Sequence, residues 1–455
     1  VLGVLKDRTY RHLFAAQLVA LVGTGLATVA LGLLAYDIAG ASAGAVLGAA
    51  MTIKMVAYVG VSPLVGAVAD RLPRRAFLVS TDLLRAGVAL CLPFVDSVWQ
   101  VYVLIFLLQA ASASFTPTFQ ATIPDVLPDE RDYTRALSLS RLAYDLESLL
   151  SPVLAAALLT LVTYQGLFTA TTLGFLASAA LVVSVLLPKA APSGRRDGVW
   201  RRITLGARVF LATPRLRALL AMNVVVAAAS AVVIVNTVVI VRGVLGRGEV
   251  EVAIALGCYG AGSMAVALRL PRLLDRLGDR PVMLPAGFLL TAVLAGAAAI
   301  MALAPATAWP LLLFTWLLLG AGTALILTPG GRLLRRSCDQ ADRPALFAAQ
   351  FSLSHACFLG TYPLAGWLGA AAGMGTTLLA FAGLTLAAAL LAVCAWPAGD
   401  PRTLTHVHAD LHPGHPHLHD AETVGAGWWG HRHEFVIDRL HTRWPQRETE
   451  PVDTR

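Results

Sequence analysis

The chain has 455 residues, a formal net charge of +8, 57% hydrophobic and 14% charged residues, and a mean hydropathy of +0.70. A soluble protein carries about 25% charged residues, so this composition excludes an ordinary water-soluble enzyme and a nucleic-acid-binding protein with a basic face. It describes a chain dissolved in lipid, where about 20 apolar residues cross the bilayer as a helix.

In chain order, a basic opening with Lys6, Arg8 and Arg11 leads into apolar stretches at 13–38, 44–69, 76–95, 98–123, 136–162 and 166–188. After a polar connector come 216–242, 249–273, 281–303, 307–330, 344–372 and 375–396, so the expected fold is an all-α membrane protein with twelve transmembrane helices. Basic residues gather on one set of loops, at Arg71, Arg74 and Arg75, at Arg131 and Arg135, in the connector, at 269–280 and at 332–343, whereas the opposite loops hold Arg242 and Arg247. By the positive-inside rule both termini face the cytoplasm and the chain sits in the cytoplasmic membrane. The five cysteines form no CxxC pair and are read as small packing residues.

Three motifs recur in order. Asp70-Arg71-Leu72-Pro73-Arg74-Arg75 is echoed by Asp275-Arg276-Leu277-Gly278-Asp279-Arg280, Phe115-Thr116-Pro117 by Leu327-Thr328-Pro329, and Ser138-Leu139-Ser140-Arg141 by Ser352-Leu353-Ser354-His355. The chain therefore divides into two six-helix pseudo-repeats, 1–190 and 215–397, joined by a linker at 191–214 and followed by a tail at 398–455. Within the linker, Trp200–Leu211 has the pattern of an amphipathic helix lying on an anionic leaflet. Duplicated membrane halves are typical of transporters, with the substrate site between the repeats near the midplane.

A charge at bilayer depth costs about 2.5–3.5 kcal/mol by insertion scales, so each one is a candidate. Arg141 and Asp145 are spaced i,i+4 and can pair on one helix face; Glu147 lies near mid-membrane without an evident helical partner. His355 occupies the place in the second repeat that Arg141 occupies in the first. Lys54, Gln109 and Asn223 complete the expected proton-coupling or substrate path, each with interhelical packing as the plainer reading. Asp82 and Arg85, at i,i+3, are expected to be a structural pair.

The segment Gly66-Ala67-Val68-Ala69-Asp70-Arg71-Leu72-Pro73-Arg74-Arg75 resembles the signature between helices 2 and 3 of the major facilitator superfamily. Lys6 through Phe14, with Phe115-Thr116-Pro117 and Pro124-Asp125, resembles its multidrug and siderophore exporter branch. The resemblance implies a transporter and not an enzyme. It also implies that Gly66, Asp70, Arg71 and Arg75, with Asp275 and Arg276 in the second copy, latch the halves on the cytoplasmic side.

Nine histidines crowd the tail: His406, His408, His412, His415, His417, His419, His431, His433 and His441. The first eight are candidate ligands for Zn, Ni, Co or Cu, since imidazole suits these ions. The run from His406 to His419 shows no apolar periodicity and is expected to be flexible; the plainer alternative to metal binding is a solvated tail with 433–444 docked on the cytoplasmic face. The tail resembles those of nickel-resistance exporters of the same superfamily.

Together these features give a proton-coupled exporter of a small amphipathic organic compound. The alternatives are an exporter of a divalent metal or metal chelate and, in another class, a non-transporting membrane metal sensor or scaffold. No phosphate-binding loop is present, so direct ATP coupling is not expected. No cofactor is required, a divalent ion on the tail being the one candidate ligand, and the expected partners are lipid, substrate and protons. The protein is expected to be a monomer.

Overall fold

The computed structural model describes all residues except 1, 40–42, 68–71, 189–198, 304–307, 401–402, 410, 413–414, 420, 425–427, 439, 442, 446–451 and 453–455. It is built almost wholly of helices: α1 Arg8–Ala39, α2 Ala43–Gly66, α3 Arg74–Cys91, α4 Val98–Val126, α5 Glu130–Leu159 and α6 Tyr164–Val183. Two short helices, α7 Val199–Ile203 and α8 Leu205–Ala212, lead to α9 Pro214–Val238, α10 Glu249–Leu277, α11 Arg280–Leu303, α12 Ala308–Arg335 and the 53-residue α13 Arg343–Ala395. Among the described residues ten helices are long and apolar enough to cross a membrane. They make a multi-pass membrane protein whose outward-facing Leu, Val and Phe side chains are a lipid-facing surface rather than a defect.

Local chemistry sets the helix ends. Asp129 accepts a hydrogen bond from the Asp132 amide and so caps α5, while Glu130 and Asp132 lie in its first turn, where the helix dipole favours acids. Ser97 and Gln100 form a capping box on α4. Gly278, at φ 76°, ends α10, a backbone region costly for any residue with a Cβ. Gly373, at φ 80° and ψ 167°, breaks α13 into two helices, and it falls between the apolar stretches 344–372 and 375–396.

Packing is close where small residues permit it. A Cβ on Gly262 of α10 would meet the Leu317 carbonyl oxygen of α12, and one on Gly320 of α12 would meet that of Tyr259, so the two backbones touch through reciprocal glycines. One buried core draws on α8 to α13 and includes Val209, Phe210, Met222, Trp316 and Phe381; two others draw on α1 to α6 and include Phe168, Phe175, Tyr10 and Phe119. Asp82 and Arg85 pair inside α3, with Ser178 of α6 donating to Asp82 at 2.8 Å and Phe115 and Phe175 stacked on the guanidinium, the structural pair expected from their spacing.

Two expectations change. The Trp200–Leu211 stretch is not one helix: it divides near Thr204 into α7 and α8, and Val209 and Phe210 are buried against protein. Gly206 is tight against the Ala345 carbonyl of α13. Nor are the tail's described residues without regular structure. β1 Thr403–His408, β2 Glu422–Thr423 and β3 Trp429–Glu434 form an antiparallel sheet of order β1-β3-β2. Phe435, Ile437 and Val452 are buried in the same core as α8 to α13. A ladder partner and a hydrophobic dock supply the order that composition alone does not indicate.

Candidate functional site

The polar groups expected from the sequence near mid-membrane lie where α1, α2, α5, α10 and α13 meet. Arg141 donates to Asp145 at 2.7 Å along α5 and, through Nε, to the Ser263 hydroxyl of α10 at 2.9 Å, so this pair also fastens α5 to α10. On the α1 side, a Cβ on Gly25 would fall 2.0 Å from the Ser151 hydroxyl oxygen and 2.9 Å from Glu147 Oε1. The missing side chain thus makes room for the α5 carboxylate. Glu147 is half-buried and lies within the field of Lys54 on α2.

Lys54 also sits 5.6 Å above the Tyr58 ring, and Tyr58 packs edge-on against His355 of α13 at 4.7 Å. Phe351 and Phe358 flank the imidazole. His355 Nδ1 lies 2.7 Å from the Phe351 carbonyl, which can only accept, so the ring is protonated at Nδ1 and its Nε2 carries the lone pair. Around Arg141, Ser140 donates to Gln17 of α1 at 3.1 Å. Asn223 is buried and exchanges amide hydrogen bonds with Gln350 of α13 at 3.1 and 3.2 Å, while Gln109 is half-buried on α4.

The face shared with the tail holds a second constellation. Asp125, at the end of α4, accepts from Arg74 of α3 at 2.5 Å and from Arg343 at the start of α13. Arg332 of α12 bridges Glu130 of α5 at 2.6 Å and Asp279 at 2.9 Å, and it donates to Thr134 at 2.6 Å; Arg336 joins Asp279 at 3.1 Å. Ser62 of α2 donates to the Ala348 carbonyl and Ser352 of α13 to that of Val59, at 3.0 and 2.6 Å, with Gly66 pressed on Ala345 and Ala348 between them. This face is closed by charge and by backbone contact together.

Only part of the latch expected from sequence is here. Gly66 is at the contact and Arg75 is half-buried, while Asp70 and Arg71 lie outside the described residues. Asp275 and Arg276 are exposed, and Asp275 meets Arg131 at 4.0 Å across largely solvated side chains. The buried acid is Asp279, because the turn at Gly278 carries it inward. Asp125 stood in the quoted Pro124-Asp125 motif without a role, Glu130 gave no signal, and Arg332 and Arg343 gave none beyond basic-loop character.

The tail histidines separate into two groups. Strand alternation places His406 and His408 of β1 and His431 and His433 of β3 on one face, with His406 directly opposite His431. His417 and His441 close over that face. The ligand atoms of His406, His408, His417, His431 and His441 all lie within 4.8 Å of one another, and His433 Nε2 is 3.3 Å from His417 Nε2. His412, His415 and His419 are outside this group; His415 instead accepts from the His417 amide at 3.2 Å. His441 was not among the expected ligands. Burial, against a backbone hydrogen bond and with help from the adjoining imidazoles, pushes His406 down to about 3, and burial with the same neighbours pushes His417 to about 4.

Arg215 joins tail to bundle: it reaches Asp400 at 3.2 Å, the Ser337 hydroxyl at 2.8 Å and the Arg336 carbonyl at 3.0 Å, and it lies 5.2 Å from the Trp444 ring centroid. A cavity of about 410 Å³ between them is lined by Arg215, Arg332, Arg335, Arg343 and Glu434 among others.

This is the architecture of a polytopic transport protein. The family model of the Major Facilitator Superfamily matches residues 13–267 and 219–416, and the chain belongs to that superfamily, whose members are transporters and not enzymes. Macrolide efflux protein A of Enterococcus faecalis is 26% identical over 153 residues, 31% of this chain and 47% of its own length; that of Streptococcus pyogenes is 24% identical over 182 residues, 39% and 44%. The chain thus spans just under half the length of these curated relatives. The uncharacterized MFS-type transporter YfiS of Bacillus subtilis is 22% identical over 331 residues, 70% of this chain and 79% of its own. Among solved structures, the human organic anion transporter MFSD10 superposes with a TM-score of 0.72 at 14% identity, covering 85% of this chain and 99% of that one. A bacterial homologue of the iron transporter ferroportin, in its outward-facing state, gives 0.68 at 16%, covering 85% and 98%. At these identities the structural likeness concerns the fold.

Proposed function

We propose that the protein is a secondary active exporter of a small amphipathic organic compound, driven by proton exchange and working by alternating access. The reading takes α13 as two spans and adds the 30-residue α5, giving twelve spans in two halves, 1–190 and 215–397. The linker 191–214 and the tail 398–455 then lie with the basic loops in the cytoplasm, below the cytoplasmic membrane.

The observation that carries this reading is the latch on the tail-side face. Asp125 is held by one arginine from each half and Arg332 by acids from each half, so the halves are joined there by bonds that can exchange for water without unfolding either one. An interface so built can open and reclose as one half rocks against the other. Glu147 is the proposed proton carrier: a membrane carboxylate beside Lys54 can give up or take a proton as the helices around it part. Arg141 and Asp145 serve that motion as a fastening between α5 and α10. An organic cargo is favoured over a bare metal ion because, among the described residues, the one grouping of three or more metal-ligating side chains is in the tail. The names of the macrolide efflux relatives agree with an organic cargo.

The test uses purified protein in liposomes with an imposed proton gradient, following efflux of a macrolide and of other amphipathic cations. Gradient-driven flux is expected in the native protein and its loss in Glu147→Gln, with downhill exchange retained. Undiminished gradient dependence in that variant would remove Glu147 from the coupling role. Gradient-driven movement of Ni²⁺ or Zn²⁺ with no organic flux would replace the cargo.

A further inference from the structure

We infer that the face of the tail sheet formed by His406, His408, His417, His431 and His441 is a binding site for one late first-row divalent ion (Zn²⁺, Ni²⁺, Co²⁺ or Cu²⁺), separate from any transport path. The spacing of the nitrogens is the first argument. His406 Nε2 lies 3.1 Å from both His431 Nε2 and His441 Nε2, and His441 Nε2 is 3.2 Å from His417 Nε2. Imidazole nitrogens bound at about 2.0–2.1 Å to one ion stand about 3.0–3.4 Å apart when they are neighbours in its coordination shell. The observed separations have that size.

Proton accounting is the second argument, and it is independent of the first. His406 Nδ1 faces the Leu404 carbonyl at 3.1 Å, and His441 Nδ1 faces an Asp438 carboxylate oxygen at 2.9 Å. Neither oxygen can donate, so in each neutral ring the proton is on Nδ1 and Nε2 is a bare lone pair. Yet these two Nε2 atoms point at each other at 3.1 Å. Two lone pairs at that distance repel unless a cation lies between them. His433 follows the same rule, with Nδ1 at 2.6 Å from the Glu434 carbonyl and Nε2 toward His417. A carbonyl or carboxylate fixing the outer nitrogen of a ligating histidine is the usual second layer of a metal centre.

The donor set names the class of ion. Neutral imidazoles suit late first-row divalent ions, whereas Mg²⁺ and Ca²⁺ take oxygen ligands. The ion would also join β1, the turn at Pro416–Leu418, β3 and the segment at His441, a set otherwise held by a sheet of short strands. Since Phe435 packs on His406 and His441 at 5.0 and 4.8 Å and belongs to the core of α8 to α13, loading would fix the tail on the bundle.

The experiment uses tag-free full-length protein in detergent, stripped with a chelator and dialysed back, with Zn²⁺, Ni²⁺ and Mg²⁺ as separate probes. One tight Zn²⁺ or Ni²⁺ per chain is expected, none for Mg²⁺, and X-ray absorption should report imidazole nitrogen ligands. Joint replacement His406→Ala and His441→Ala should weaken binding at least a hundredfold. Joint replacement of His412, His415 and His419 by Ala should leave it within twofold, and Asp438→Asn, which acts through His441, should weaken it about tenfold. Protease cleavage within 403–444 should slow on adding the ion to native protein and to the His412, His415 and His419 variant. Affinity that follows the His412–His419 set instead, or native protein that binds no Zn²⁺ or Ni²⁺, would overturn the site whether or not the paired variant folds. Transport is not read in these assays, so the exporter reading and this one fail separately.

Discussion

The two copies of Ser-Leu-Ser begin at similar depth, Ser138 eight residues into α5 and Ser352 nine residues into α13, about 12–14 Å along either helix. Each lies on a seam, one facing α10 and the other α2. The first ends in Arg141, which binds Asp145 and crosses to Ser263 with directed, charge-assisted bonds. The second ends in His355, which crosses to Tyr58 by ring contact, while Ser352 reaches the Val59 carbonyl. Charge in a low-dielectric seam demands one geometry, whereas stacked rings tolerate several. One repeat has made its motif a rivet and the other a bearing.

The contrast can be broken, and the largest effect is expected at the rivet. Arg141→Ala leaves the buried Asp145 without its cation, at a cost of about 3–5 kcal/mol, and thermal unfolding in detergent should show it; adding Asp145→Ala should recover part of the loss. Ser263→Ala removes a hydrogen bond to a charged group and should cost about 1.5–3 kcal/mol by the same assay. At the bearing, Ser352→Ala should cost about 1 kcal/mol, and a loss as large as that of Arg141→Ala would erase the distinction. The smallest effect is expected for Arg131→Ala, whose pairing with Asp275 is solvated and worth under about 1 kcal/mol. A double-mutant cycle with Asp275→Ala should give a coupling close to zero.

Much of this was legible in the sequence because lipid imposes a strong pattern. The apolar stretches, the i,i+4 pairing of Arg141 with Asp145 and the i,i+3 pairing of Asp82 with Arg85 follow from helix periodicity alone. The latch was harder. Asp275-Arg276 copies Asp70-Arg71 in letters, yet Gly278 redirects the chain so that Asp279 enters the interface, and a backbone angle is not visible in a motif. Asp125 owes its role to Arg74 and Arg343, separated from it by 51 and 218 residues.

In the tail a readable signal was present: His406-Val407-His408 and His431-Arg432-His433 alternate with period two, as strands do. Counting histidines by density hid that alternation. It also favoured His412, His415 and His419 over His441, which Phe435 and Asp438 bring back to the sheet.

Gly373 carries a consequence for movement. Its φ of 80° and ψ of 167° belong to a region open to glycine almost alone, and the helix resumes at once on either side. The two arms of α13 therefore share an elbow with no slack, unlike spans joined by a string of residues that could absorb displacement. Whatever swings Arg343 away from Asp125 must drag the second arm with it, and with that arm Trp396 and the start of the tail.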